Sequence, residues 1–270
     1  MSKINPMPEV TTLLKQLKLS SCIENLSKHN KAAIANKLTY PEFLALLLQD
    51  EISTREQRRF TTSMKLSRLR PDKTLENFDF TADVELDYKK IKELASCRFI
   101  EEKVCIIIVG PCGAGKSHLA HAIGNCAIRA NISTLFIKAN KLMEEIRAAI
   151  AVNSYEKYKR KICKLPLLII DDFGLKPFST PEDEYFHEII SDRHETAATL
   201  ITSNLDFSEW IQAFPNKLLG VATLDRIRHM AYSLTLEGPS HREFKEKTVI
   251  ISKNLSNAGE GCIGLKEVCS

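Results

Sequence analysis

What the chain lacks narrows its class before any motif is read. None of its apolar runs approaches the roughly 18–20 residues needed to cross a bilayer. The opening MSKINPMPEV has no apolar core of the kind that marks a secretory signal. A cytoplasmic protein with no membrane partner is therefore expected. The eight cysteines, at 22, 97, 105, 112, 126, 163, 262 and 269, form no CxxC pair and have no nearby histidines at zinc spacing. A disulfide framework is not expected in a cytosolic chain of this size. Cys105 in VCIIIVG and Cys126 in GNCAI instead sit within apolar runs, where a reduced thiol packs as a small hydrophobe. Internal repeats are also absent.

What is present is ordinary in bulk and uneven in detail. With 270 residues, 44% hydrophobic and 27% charged, the chain has room for one large domain and a smaller module. Its net charge of +4 is concentrated at the front, where residues 1–75 hold 13 Lys and Arg against 7 Asp and Glu. Residues 76–270 hold 25 basic and 27 acidic residues, a net −2. A basic front fits a module that faces nucleic acid, the alternative being a solvated helical surface.

The hydrophobic period divides the chain at the same place. Over 8–70 it is helical: Leu13, Leu14, Leu17, Leu19, Ile23 and Leu26 recur close to every 3.6 residues. Thr39 before Tyr40, Pro41 and Glu42 reads as an N-cap with Pro and an acid in the first turn. The helix it opens becomes basic at Arg55, Arg58 and Arg59, then Lys65, Arg68 and Arg70, and is expected to end at Pro71. PDKTLENFDF then reads as a linker. From Val104 strands and helices alternate: strands at 104–110, 133–139, 165–174, 198–205 and 232–238, with helices between. That alternation implies a doubly wound α/β core with a parallel sheet. The expected organisation is a helical domain over 1–75, an α/β domain over 76–252 and a tail without periodicity over 253–270.

The chemistry begins at 110–117, GPCGAGKS, which satisfies G-x-x-x-x-G-K-[ST] between a buried strand and a helix. At average composition the pattern arises by chance in a chain this long about one time in a hundred. Gly110, Gly113 and Gly115 let backbone N–H groups turn inward around phosphates, with Pro111, Cys112 and Ala114 completing the cradle. Lys116 is expected to reach the β- and γ-phosphates of ATP, and the Ser117 hydroxyl to ligate Mg²⁺. LLIIDDFG then ends an apolar strand in two acids. Asp171 is the natural Mg²⁺ partner, and Asp172 is placed to orient an attacking water. The alternative is a pair of turn-forming aspartates before Gly174. ITSN ends another strand at Asn204, which would hold that water or, alternatively, cap a helix.

Taken in order, a basic helix containing REQRR, then TLENFDF, FIEEKVCIIIVGPCGAGKSHLAHAIG, LLIIDDFG, ISDRHE, ITSNLDFSEW and LDRIRHMAYSLTLEGPSHR carry a more specific likeness. Over about 8–250 the chain resembles the IstB family of transposition helper ATPases, AAA+ proteins related to DnaC and DnaA. The resemblance implies an AAA+ core behind a small helical domain. It also implies an ATP-dependent protein that assembles as a homo-oligomer on double-stranded DNA and recruits or activates an insertion-sequence transposase. By motif, Asn204 is similar to sensor 1, and Arg226 in LDRI looks like the arginine finger that completes a neighbour's site. Arg242 in GPSHR matches a terminal arginine position, with His241 where Tyr is usual. Asp172 stands where many AAA+ proteins carry Glu, which is one methylene longer. In such proteins the stretch after the second strand faces nucleic acid. Here it holds Lys157, Lys159, Arg160, Lys161 and Lys164 interleaved with Tyr155 and Tyr158, the alternative being a solvated basic helix. Three rivals share the loop: a DnaC-like helicase loader, a small-molecule kinase and a non-hydrolysing nucleotide switch. The kinase leaves Asn204, Arg226 and the basic front unexplained.

Overall fold

The apolar runs become one buried sheet, and their alternation decides which face each side chain takes. The structure, a computed structural model, describes residues 7–80, 88–229 and 231–237. Its strands are β1 (Cys105–Val109), β2 (Thr134–Lys138), β3 (Leu167–Phe173), β4 (Ala198–Ser203) and β5 (Tyr232–Thr235). They pair in the order β2-β3-β4-β1-β5, and every pairing is parallel. Ile106, Ile108, Leu167, Ile169 and Leu200 enter the core on one face of the sheet. Their neighbours Ile107, Val109, Leu168, Ile170 and Ile201 enter the core on the other. A sheet apolar on both sides needs helices on both sides, which is why its strands read as unbroken apolar runs.

Helices supply those covers. α6 (Lys116–Arg129) puts Leu119 and Ile123 into the first core, beside α4 (Tyr88–Ala95) and α5 (Arg98–Glu101). α7 (Ala139–Ala151), α8 (Tyr155–Cys163), α9 (Glu182–Arg193), a 3₁₀ segment Phe207–Ala213 and α10 (Lys217–Arg228) close the second. Arg193, 1% exposed, ties this layer together. Its guanidinium donates to the carbonyls of Ile162 at 2.8 Å, Leu165 at 2.9 Å and Ala198, and to Thr199 Oγ1 at 3.0 Å. No helix among the described residues is long and apolar enough to cross a membrane.

In front lie α1 (Met7–Gln16), α2 (Ser20–Asn36) and α3 (Tyr40–Ser67). The Glu42 carboxylate accepts from the Thr39 N–H at 2.7 Å, closing the expected start of α3. Their buried apolar cluster is small, Cys22, Leu26 and Leu47, and polar contacts reinforce it. Buried Glu51 accepts from the Ser21 N–H and from Arg55 Nε, both at 2.8 Å.

The segment after α3 departs from the sequence reading. The helix stops at Ser67 because Arg68 turns left-handed, with φ 60°, and its guanidinium pairs with Glu145 at 2.7 Å. PDKTLENFDF has no regular structure, yet it is no free linker. Leu69 packs so closely on Gly124 of α6 that a Cβ there would lie 2.7 Å from Leu69 Cδ2. Asn125 Nδ2 donates to the carbonyls of Arg70 at 2.9 Å and Lys73 at 2.7 Å. His121, stacked on Phe136 at 3.8 Å, accepts the Arg70 N–H at 3.3 Å. Arg242, the rest of GPSHR and the tail 253–270 lie outside the described residues.

His121 makes this docking sensitive to acid. Burial, assisted by the nearby Arg70 charge, lowers its pKa to about 4. Between that value and about 6.5 the unfolded chain binds more protons than the folded one. Stability should therefore fall as pH drops through this window, by up to about 3 kcal/mol from this group. Urea titrations across pH should show a flatter acid limb for His121→Leu than for the parent. An identical slope in both proteins would remove His121 as the sensitive group.

Candidate functional site

Parallel strands end on one edge of the sheet, so the loop after β1 meets the acids of β3 and the polar end of β4. There a cleft of about 1070 Å³ is lined by Cys112, Gly113, Gly115, Lys116, Ser117, Asp171, Asp172 and Asn204. The loop needs its glycines for two separate reasons. Gly110 has φ 147°, and a Cβ on it would meet the Leu236 carbonyl oxygen at 2.2 Å. Gly115 has φ 93°, and its Cβ would meet the Phe78 ring at 2.9 Å. Lys116, 7% exposed, bends back over the loop and donates to the carbonyls of Gly110 at 2.8 Å and Pro111 at 2.7 Å.

Asp171 is the centre of the site. Only 1% exposed, it accepts from Ser117 Oγ at 2.9 and 3.1 Å and from the Thr202 hydroxyl. Burial pushes its carboxyl above the usual carboxylate range, offset in part by the Thr202 hydrogen bond, and the Asp172 charge pushes the same way. A buried carboxylate whose hydrogen-bond partners among the described residues are hydroxyls favours a cation beside it. The paired oxygens of Ser117 and Asp171 are hard donors suited to Mg²⁺.

Asp172 is placed differently. It adopts φ 59°, and the β3–β4 register shifts between Ile170 and Phe173. Its N–H donates to Thr202 Oγ1 at 3.1 Å, and its carboxylate pairs with Lys138 Nζ at 2.7 Å. Lys138, the last residue of β2, had no signal in the sequence because the pair is made across strands. The TLENFDF stretch was similarly given no part in the site, yet Asn77, Phe78 and Asp79 line the cleft, with Arg68, Arg70 and Lys73.

Two groups of sequence-predicted residues lie elsewhere. Arg226 lines a separate cleft of about 160 Å³ with Arg193, His194 and Thr199, and donates to the Ala222 carbonyl at 3.0 Å. On α8, Lys157, Arg160 and Lys161 are exposed. Lys159 instead pairs with Glu188 at 3.1 Å. The two tyrosines expected to interleave with these bases are half-buried: Tyr155 donates to Glu188 at 2.8 Å and Tyr158 to Glu145 at 3.0 Å.

Known proteins resemble this chain in sequence and in fold. Residues 12–249 match the family described as IstB-like ATP binding protein. A Pseudomonas aeruginosa protein named for ATP binding in insertion sequence IS21 is 34% identical over 92% of this chain and 94% of its own. Its counterpart from IS5376 of Geobacillus stearothermophilus is 37% identical over 84% and 90%. Among solved structures, DnaI superposes with a TM-score of 0.53 at 24% identity, covering 66% of this chain and 92% of that one. AMPPCP-bound DnaA from Aquifex aeolicus gives 0.54 at 20% identity, over 63% and 51%. The five-stranded core thus has the AAA+ fold.

The Lys138 pair makes a testable split. Asp172→Asn should retain Mg²⁺·ATP binding and lose turnover. Lys138→Met, which frees the same carboxylate, should retain binding and change turnover by several-fold without abolishing it. Steady-state phosphate release and nucleotide affinity, measured on both variants, check this. Equal, complete loss of nucleotide binding in both would show that the pair serves only to hold the loop.

Proposed function

The chain belongs to the family of IstB-like ATP binding proteins, and on that premise we propose that it hydrolyses Mg²⁺·ATP as a homo-oligomer on double-stranded DNA, selecting target DNA and recruiting its transposase. The observation that carries this reading is a division of the machinery. Lys116, Ser117, Asp171, Asp172 and Asn204 share one cleft, whereas Arg226 lines another. A site whose finger lies elsewhere in its own chain is one that a neighbour completes.

In this reading Lys116 exchanges two backbone carbonyls for phosphate oxygens, and backbone N–H groups of 110–117 cradle the rest. Ser117 and Asp171 hold Mg²⁺, which neutralises charge on the β- and γ-phosphates. Asp172, released from Lys138, accepts a proton from the attacking water, and Asn204 orients that water. Arg226 of a neighbour meets the charge developing on the γ-phosphate, a contribution worth about 10³–10⁵ in rate for arginine fingers. Residues 1–75 act as the domain for DNA or partner, and 76–252 as the motor. Lys157, Arg160 and Lys161 face the phosphate backbone, while Lys159 holds α8 to α9. The insertion-sequence relatives, matched over most of their length, support this reading over a DnaC-like helicase loader.

Two measurements bear on it. Arg226→Ala and Lys116→Ala should each be nearly inactive in DNA-stimulated ATP turnover, and mixing them should restore part of the rate. No recovery while both still assemble on DNA would exclude a shared site. Replacing Lys157, Arg160 and Lys161 with Ala should weaken duplex binding regardless of sequence. The slope of log K against log salt should flatten by up to about 0.9 per lost phosphate contact. Wild-type affinity and slope would move the DNA surface elsewhere.

A further inference from the structure

The smaller cleft holds a second cluster that ATP chemistry does not use. His194 is the first residue past α9, Glu195 follows it, and His229 is the first residue past α10. β4, the 3₁₀ segment and α10 separate the two histidines in sequence, so no spacing motif announces them. The fold brings them together: one ligand atom from each of the three side chains lies within 4.8 Å of the others. Among the described residues this is the one group of three or more His, Cys, Asp or Glu side chains so arranged. We propose that His194, Glu195 and His229 bind one divalent ion of the Zn²⁺ class, clipping the ends of α9 and α10 together.

Three further observations support a cation here. His194 Nε2 is buried and, among the described residues, makes no hydrogen bond, an unsatisfied state that calls for a partner. Both histidines sit at C-termini of twelve-residue helices, where the unpaired carbonyls and the helix dipole favour positive charge. The two imidazole rings, 5.4 Å apart and tilted by 52°, are not stacked face to face.

The donor set chooses the metal. Two imidazoles and one carboxylate suit Zn²⁺, Co²⁺ or Ni²⁺, whereas Mg²⁺ and Ca²⁺ prefer oxygen alone. A fourth position falls to water. The consequence is mechanical. Arg226 is three residues before His229 on α10, so an ion fixing the end of that helix also fixes the base of the Arg226 side chain.

The test uses the full chain without nucleotide, so it does not depend on the ATPase reading. Chelator-stripped protein is titrated with Zn²⁺ against a chromophoric competitor, and with Co²⁺ to read the ligands from its absorption. One equivalent of Zn²⁺ should bind and raise the Tm. Glu195→Gln and His229→Gln, both at exposed positions, should melt like the parent without metal. Each should bind at least about tenfold more weakly, since even outer-shell changes cost roughly 10–100-fold at metal sites. The Co²⁺ spectrum should lack a thiolate charge-transfer band. Unchanged affinity in both variants, a thiolate band that assigns the ion to cysteines, or no stoichiometric binding would each overturn the proposal.

Discussion

The buried carboxylate of Asp171 is the constraint around which the rest of the site is built. Ser117 at the start of α6 and Thr202 on β4 both donate to it, so one side chain joins the loop helix, β3 and β4. Such a charge is expensive to bury, and two hydroxyls compensate it only in part, as the upward shift of its pKa indicates. The arrangement is favourable when a cation shares the site. Thr202 also accepts the Asp172 N–H, so the hydroxyl that holds the first acid also sets the left-handed turn that aims the second.

How much of this was legible depends on whether the signal was local. Ile106–Val109 and Leu167–Ile170 read as buried strands because a sheet covered on both faces leaves no polar position to interrupt the run. GPCGAGKS was legible because a phosphate cradle demands glycine at fixed offsets, and Gly110 and Gly115 have the positive φ that demand implies. Lys138 was not legible. Its partner Asp172 lies on another strand, and a lysine at a strand end is otherwise unremarked. The partners of Tyr155, Tyr158 and Lys159 were not legible for a related reason: a basic, aromatic helix reads the same whether its polar ends meet solvent or acids on α7 and α9. Glu145 and Glu188 decide that, and neither is adjacent in sequence.

The segment 68–80 shows how a turn-rich stretch becomes structural. Nothing in PDKTLENFDF has a helical or strand period, so sequence can only call it a connection. Its order comes from α6, which offers the side chains of His118, His121 and Asn125 to the carbonyl of Thr74, the N–H of Arg70 and the carbonyls of Arg70 and Lys73. Gly124, between those last two side chains, allows Leu69 to approach. The same helix begins with Lys116 and Ser117. One face of α6 therefore holds the connection while its first turn presents the cradle, and Phe78 reaches from the connection to the back of Gly115.

Glu145 extends this arrangement across the molecule. From α7 it accepts from Arg68 at 2.7 Å and from Tyr158 on α8 at 3.0 Å. Burial acts to raise its pKa, but these two hydrogen bonds, with the Arg68 and Lys141 charges, together outweigh it and hold the carboxyl below the usual range, so it stays ionised. A single charged group thus has to satisfy two partners on different elements, and neither can move without leaving it undercompensated in a half-buried site. Arg68 is in turn the residue whose left-handed turn directs the chain from α3 onto α6. The exposed basic face of α8, the exit of α3 and the first turn of α6 are consequently joined by short, specific contacts. A displacement of α8 must break the Tyr158 bond or carry Glu145 and Arg68 with it. The second course moves the connection that packs Phe78 against Gly115 of the phosphate loop.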